Sequence, residues 1–260
     1  MNLKRSLLIF FLSVLFLPVL FAAPQEINIR VEYFPPFVCG INSKTHPGIA
    51  IEILRKVFPA DRYRLNFRNQ GWQWAMRDLQ RNQCHAVIGV CKADKPNLVY
   101  PSRPLFKTVS AVYLRNDSPL KFDSAASLAK AKTGFMTDYS HSDEFDRFLK
   151  DHSTDGIAVI YNGWNANDKM VRDLMQKKLQ AIVSYTAVMD WSMKRIRNSA
   201  KQIRLVKKLD NEAEFYIAFT PGKRESWTFV KQFNQEFEKF RKTPEYKKLL
   251  QKYGLTENSL

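Results

Sequence analysis

Acidic residues are scarce in this chain: 25 Asp and Glu stand against 41 Lys and Arg in 260 residues, a formal charge of +16. Cysteine and histidine are scarcer still. Three cysteines, Cys39, Cys84 and Cys91, are too few for a disulfide-built scaffold. The four histidines show no ligand spacing with them, which argues against a metal centre, and no cofactor is expected. The basic residues are spread along the chain without a nucleic-acid motif, so their excess reads as solvated surface and not as a nucleic-acid site. Such a surface is weakly drawn to anionic envelopes or head groups. After Ala23 no apolar run is long enough for a bilayer crossing, which takes about 20 residues.

What the chain does have begins at its first residues. Lys4 and Arg5 precede an apolar run from Leu7 to Phe21, broken only by Ser13 and Pro18, and Ala22 and Ala23 follow. That order reads as a cleavable secretory signal peptide over 1–23, cut after Ala22 or Ala23; a membrane anchor is the alternative, and the run is short for one. Loss of the two basic residues leaves +14 (16 minus 2) on an exported protein.

Beyond residue 23, strand-like and helix-like segments alternate, the pattern of an α/β protein. "INIRVEY" (27–33), "YRLNFR" (63–68) and "HAVIGV" (85–90) read as strands, with helices at "PGIAIEILRKVF" and "WQWAMRDLQRN" between them. "PLFKTVSAVYLRND" (104–117) is a long extended run. A second cycle follows, with strands at "TGFM", "IAVI" and "LQAIVSY", and helices over about 142–149, 166–178 and "AVMDWSMKRIRN". "IRLV" and, separately, "EAEFYIAFTP" (212–221) are extended again. Phe229, Val230, Phe233, Phe237 and Phe240 near helical spacing predict a core-facing helix. Two lobes joined by two extended crossings put a cleft at the strand ends, where open α/β sheets bind ligands.

"EYFPPF" (32–37) ends the first strand. Pro35 and Pro36 fix their own φ angles and restrict the residues before them, so the rings of Phe34 and Phe37 are held with little entropy left to lose. The corner suits either core packing or a ligand platform. Among the cysteines, Cys84 and Cys91 flank a strand longer than about 20 Å and cannot pair within it. Cys39 with Cys91 is the easier pair, both following strands at one end of a sheet.

The order of segments resembles the bacterial extracellular solute-binding proteins of family three, the polar amino-acid-binding type, over nearly the whole mature chain. The carriers are "EYFPPF", "PGIAIEILRKVF", "GWQWAMRDLQRNQCHAVIGV", "YPSRPLF", "SLAKAKTGF" and a C-terminal Lys-Tyr-Gly. The resemblance implies a two-lobed periplasmic-binding-protein fold (type II) that closes by hinge motion. Lobe 1 is expected over 24–114 plus 215–260, and lobe 2 over 115–214. It also implies that Phe34 and Trp72 are stacking rings, and that Gly89, Val90, Cys91 and Lys92 form the ligand loop of the first lobe. Asp138, Tyr139, Ser140 and His141 fall at a helix start in the second lobe, whose N–H groups suit an anionic group. Ser140 also suits an ordinary N-cap, with Asp143 completing a capping box.

Two departures stand out. "VCKADKPN" lacks the Arg that grips a ligand α-carboxylate in the family, leaving only Lys92 or Lys95, and Tyr185 stands where an ammonium-binding acid is expected. With Lys92, Ser140, Tyr139 and Tyr185 as donors, and His141 able to gain charge below about pH 6.5, the expected solute is small, polar or flat, and neutral or anionic. The leading expectation is a monomeric, non-enzymatic periplasmic binding protein serving an ABC-type importer or a membrane sensor. Two alternatives remain: a cyclohexadienyl-dehydratase-like enzyme, or a basic envelope-interaction protein. The enzyme needs a buried acid. Glu32, expected to point away from the side used by Phe34, and Asp138 are its nearest candidates.

Overall fold

Two parallel three-stranded groups meet through a long antiparallel pair in the computed structural model, which describes residues 23–137 and 139–256. Residues 1–22, on which the signal-peptide reading falls, and Asp138 lie outside the described residues. The strands are β1 (Gln25–Val31), β2 (Tyr63–Asn69), β3 (Ala86–Cys91), β4 (Phe106–Arg115), β5 (Thr133–Met136), β6 (Ala158–Tyr161), β7 (Ala181–Tyr185) and β8 (Ile203–Phe219). They lie in the order β2-β1-β3-β8-β4-β7-β5-β6. β1 runs parallel to β2 and β3, and β5 parallel to β6 and β7. β4 and β8 run antiparallel to each other and to the strands beside them.

Helices complete each parallel connection, as parallel pairing requires. α1 (Ile49–Val57) and α2 (Trp72–Gln80) serve the first group. α3 (Asp143–Asp151), α4 (Ala166–Met175), α5 (Thr186–Arg195) and the short α6 (Ser199–Gln202) serve the second. α7 (Glu225–Phe240) and α8 (Pro244–Tyr253) return to the first. α1 buries Ile49, Ile53, Leu54 and Val57 on one face, and Phe229, Phe233 and Phe237 of α7 are buried with them in one core. The predicted core-facing helix is therefore present, with all five of its named residues buried.

β8 corrects one expectation. "IRLV" and "EAEFYIAFTP" belong to a single 17-residue strand. β4 pairs with it on both sides of its middle, at Lys207 and Lys208 and again from Glu212, across register shifts near Val109 and Val112, and Val206 and Leu209 pack against the core of the second group.

The "EYFPPF" corner packs onto both crossing strands. Phe37 is fully buried and stacks on Phe106 of β4, with ring centroids 3.7 Å apart. Phe106 stacks at 5.1 Å on Phe215, its register partner in β8. Phe34 meets Phe106 and Phe215 edge-on at 5.6 and 5.4 Å. Each such pair contributes about 0.5–1.5 kcal/mol beyond area burial. Gly48 lets the corner close, since its φ of 113° is costly for other residues and a Cβ there would meet Val38 Cα at 2.6 Å.

The three cysteines are free, which corrects the expected Cys39–Cys91 pair. Cys39 turns toward the backbone of its own corner, its thiol donating to the Pro36 carbonyl at 3.6 Å, and burial pushes its pKa up to about 12. Cys91 faces the cleft.

Candidate functional site

A cavity of about 630 Å³ opens at the C-terminal ends of both parallel strand groups. That edge is where loops leave a parallel sheet with their backbone groups unpaired. Glu32, Tyr33 and Phe34 reach it from the end of β1, Gln70, Gly71 and Trp72 from the end of β2, and Gly89, Cys91, Asp94 and Lys95 from β3 and beyond. The opposite wall comes from the ends of β5, β6 and β7: Thr137, Tyr139 and Ser140, then Gly163 and Trp164, then Tyr185. Glu212, Ala213 and Phe215 of β8 line the floor between them.

Of the residues predicted for this site, Phe34, Trp72, Gly89, Cys91, Tyr139, Ser140 and Tyr185 are brought together on the cavity. Gly89 has a φ of 89° at a register shift between Ile88 and Val90, so it stands outside the β3–β8 ladder with its backbone on the wall. Phe34 and Trp72 share the first wall; Phe34 packs against the main core and Trp72 against the cluster of Ala75, Leu79 and Val90.

Four expectations are corrected. Val90 is fully buried, because alternation turns it away from the side of Cys91. Lys92 is exposed and absent from the lining; its ammonium lies 5.8 Å from the Tyr100 ring centroid. His141 is fully buried beneath the second wall, with its Nδ1 hydrogen-bonded to Ser110 Oγ at 2.9 Å. Desolvation lowers its pKa to about 3, so it gains no charge near neutrality. Ser140 does not cap α3. Ser142 does, accepting from Phe145 N–H at 3.3 Å, while Ser140 Oγ donates to Asp146 at 2.7 Å.

Glu32 is also placed differently from the expectation. β1 ends at Val31, and Glu32 reaches the same cavity as Phe34. Two residues apart in extended chain, they share a side, a parity signal the sequence already contained. Sequence reasoning missed Asp94, Glu212 and Trp164 as well. Trp164 is 70 % exposed and meets Tyr33 edge-on at 6.4 Å across the cleft. Only its exposure marks it, and exposure is invisible before the fold.

The second wall is closed by its own polar contacts. Tyr185 donates its phenol to the Ser140 carbonyl at 2.8 Å, and its ring lies 5.0 Å from that of Tyr139. Burial raises the pKa of both phenols; neighbouring Tyr185 and Glu32 add to the rise at Tyr139, and Cys91 and Asp94 at Tyr185. Phe34 touches both rings at 5.3 and 6.1 Å, so the two walls meet in one aromatic group. On the floor, Lys107 is shared by Glu212 at 2.9 Å and Glu214 at 2.7 Å.

The sequence profile of the bacterial extracellular solute-binding proteins, family 3, matches residues 27–256. The chain belongs to that family. Among curated proteins no sequence match is found. Solved structures share the family's fold at low identity. One is a Streptococcus mutans structure concerned with glutathione import via GshT and the cystine ABC importer TcyBC, with TM-score 0.70 and 16% identity over 90% of this chain and 98% of that one. A histidine kinase sensor domain with similarity to periplasmic binding proteins gives 0.68 and 14% over 89% and 96%. An ancestral arginine-binding protein bound to arginine gives 0.67 and 17% over 89% and 99%. Such identities establish the periplasmic-binding-protein fold and leave ligands to be argued from the site. Among the described residues, no helix is long and apolar enough to cross a membrane, and no group of three or more His, Cys, Asp or Glu is placed to hold a metal ion.

Proposed function

We propose that this family member captures one small solute in the cavity between its two lobes, in the periplasm, for an ABC-type importer or a membrane sensor. The carrying observation is the cavity itself: about 630 Å³, bounded by strand ends of both parallel groups, with rings on both walls. A volume of that order holds a small molecule and buries most of its surface. The lobes divide at 24–114 plus 215–260 and 115–214, with β4 and β8 as the crossings, and the protein acts as a monomer. Phe34, held by its prolines and its ring neighbours, and Trp72 supply the stacking surface on the first wall, at little ordering cost.

Binding without turnover is favoured by the exposure of Glu32: the dehydratase alternative needs a buried acid, and Glu32 is exposed where it reaches the cavity. His141, packed behind Tyr139 and Tyr185, has its pKa lowered to about 3 by burial and is neutral near pH 7. A thermal-shift panel of small solutes tests the proposal: a ligand that binds the native state raises the unfolding midpoint in proportion to log concentration. A solute that does so and is recovered unchanged supports capture, whereas consumption of the stabilising solute would replace this reading with catalysis.

A further inference from the structure

A second cavity, of about 340 Å³, opens between α1 and α8 and shares no lining residue with the capture site. Its floor is apolar, with Pro47, Phe240 and Leu249 buried there. Its rim carries Lys44, Arg55, Lys56, Lys248 and Lys252 against Glu52 and Glu245. Both acids are taken. Glu52, in the first turn of α1, pairs with Lys252 in the last turn of α8 at 2.6 Å. Lys56, in the last turn of α1, pairs with Glu245 in the first turn of α8, also at 2.6 Å. The two helices are thus tied at both ends of the groove. Lys44, Arg55 and Lys248 are exposed, and among the described residues none of the three is in an ion pair; Arg55 donates only to the Ile41 carbonyl, at 3.5 Å.

The charges around the groove do not offset these three. On α7, Glu236 pairs with Lys239, and Glu238 with Arg103 and Arg241. Asp61, in the turn after α1, lines no part of the groove, and Glu257 lies outside the described residues. Lys242 and Lys247 add exposed cations on the α8 side. At the end of α8, Lys194 of the second strand group reaches Gly254. It opens a stretch, 194–208, with seven basic residues and no acidic one. Asp168 pairs with Arg195 of that stretch, and Asp190 lies near its Lys194 and Lys208. The basic surface therefore continues past the groove.

The groove is not built as a cup for a single anion. At the start of α1, the N–H groups of Gly48, Ile49 and Ala50 already donate, to the Tyr253 hydroxyl and to the Pro36 and Phe37 carbonyls. At the start of α8, Pro244 has no N–H, and Thr243 Oγ1 accepts from Tyr246 N–H at 3.2 Å. What remains is side-chain charge on long stems beside an apolar floor, which suits a plane of phosphates better than one fixed ion. We propose that this face is a docking surface for an anionic phospholipid membrane, with Lys44, Arg55 and Lys248 reaching headgroup phosphates and the α1–α8 pair lying against the bilayer. Charge complementarity carries it, since each Lys or Arg close to an anionic bilayer adds to the attraction. The proposal is independent of solute capture.

Co-sedimentation of the exported protein with lipid vesicles at low ionic strength tests this. Vesicles of phosphatidylcholine with phosphatidylglycerol are expected to bind it at least about tenfold more tightly than phosphatidylcholine alone. A triple variant, Lys44→Gln, Arg55→Gln and Lys248→Gln, is expected to lose at least about tenfold of that affinity at an unchanged unfolding midpoint, since the three side chains are exposed. A control triple, Lys121→Gln, Lys130→Gln and Lys150→Gln, removes the same charge from exposed positions of the second strand group and is expected to lose less than about threefold. Equal losses in the two triples would assign the attraction to net charge and overturn the docking surface, as would equal binding of the two kinds of vesicle. Inorganic phosphate is a third arm. If it displaces the protein from vesicles far more than chloride of equal ionic strength, the groove is a site for a free anion and the membrane assignment falls. If the two act alike, by screening alone, the assignment stands. Solute capture is untouched by any of these outcomes, because no residue of the capture cavity is altered.

Discussion

The two walls of the cleft are built on different principles. The first wall, from the ends of β1, β2 and β3, carries Glu32, Asp94 and Lys95, with Gly89 outside its ladder and Gly71 starting an uncapped helix. The second wall, from β5, β6 and β7, presents no charged side chain among its described lining residues, and several of its polar groups are already matched to one another. The contrast teaches that selection and closure are separable tasks. Open valences and charge on one wall can read a solute, while a satisfied aromatic wall excludes water and adds contact area.

The largest expected effect concerns what lies behind the second wall. His141 has a folded pKa of about 3, below its ordinary 6.5, so between those values the unfolded chain binds more protons than the folded one. Its contribution to stability is complete above about pH 6.5 and drains away as pH falls toward 3, amounting to roughly 4 kcal/mol. Urea unfolding at pH 7 and pH 4 should show His141→Gln losing markedly less stability on acidification than the wild type. Equal losses would mean that the second wall is not sealed as described.

Gly48 bears on the first wall. Gly48→Ala places a Cβ against the backbone of Val38 and Cys39, 2.6 and 2.8 Å away, at a φ of 113°. A loss of roughly 2–3 kcal/mol is expected, together with weaker solute binding because Phe34 loses its fixed platform. Chemical denaturation and a binding curve on one preparation check both halves of this. Destabilisation with solute affinity intact would detach the "EYFPPF" corner from recognition.

Trp72→Ala separates the tasks more cleanly. It should reduce affinity by roughly 1–3 kcal/mol, the worth of a buried ring or a strong stack, and hardly move the unfolding midpoint, since the side chain is only partly buried. Ser142→Ala should do the reverse: about 1 kcal/mol of stability from the lost cap, with affinity unchanged. Calorimetry and thermal melts of the pair would break the comparison if the two effects were exchanged.

The sequence carried the fold further than the site. Alternation of strand and helix, the five aromatic and aliphatic positions of α7, and the extended crossings all follow from periodicity, which local patterning encodes. The sequence reads β8 in two pieces because its middle, 207–211, is mostly polar, and its continuity shows only once β4 pairs with the strand on both sides of that stretch. On the cavity, Phe34 and Trp72 follow from the family resemblance, and both line the wall. His141 and Lys92 were misplaced because one residue of offset in a loop decides whether a side chain faces a cavity or a core. Asp94, Glu212 and Trp164 reach the cavity from three separate segments, and only the folded chain brings them together.

Native mass spectrometry of the protein purified without denaturation from its own source tests most directly the claim that the first wall captures a solute. Wild type is predicted to carry one small molecule per chain, released on mild activation, and Trp72→Ala to appear as the bare chain. A wild-type chain that is bare, or a Trp72→Ala chain that keeps the same adduct at full occupancy, would contradict the account.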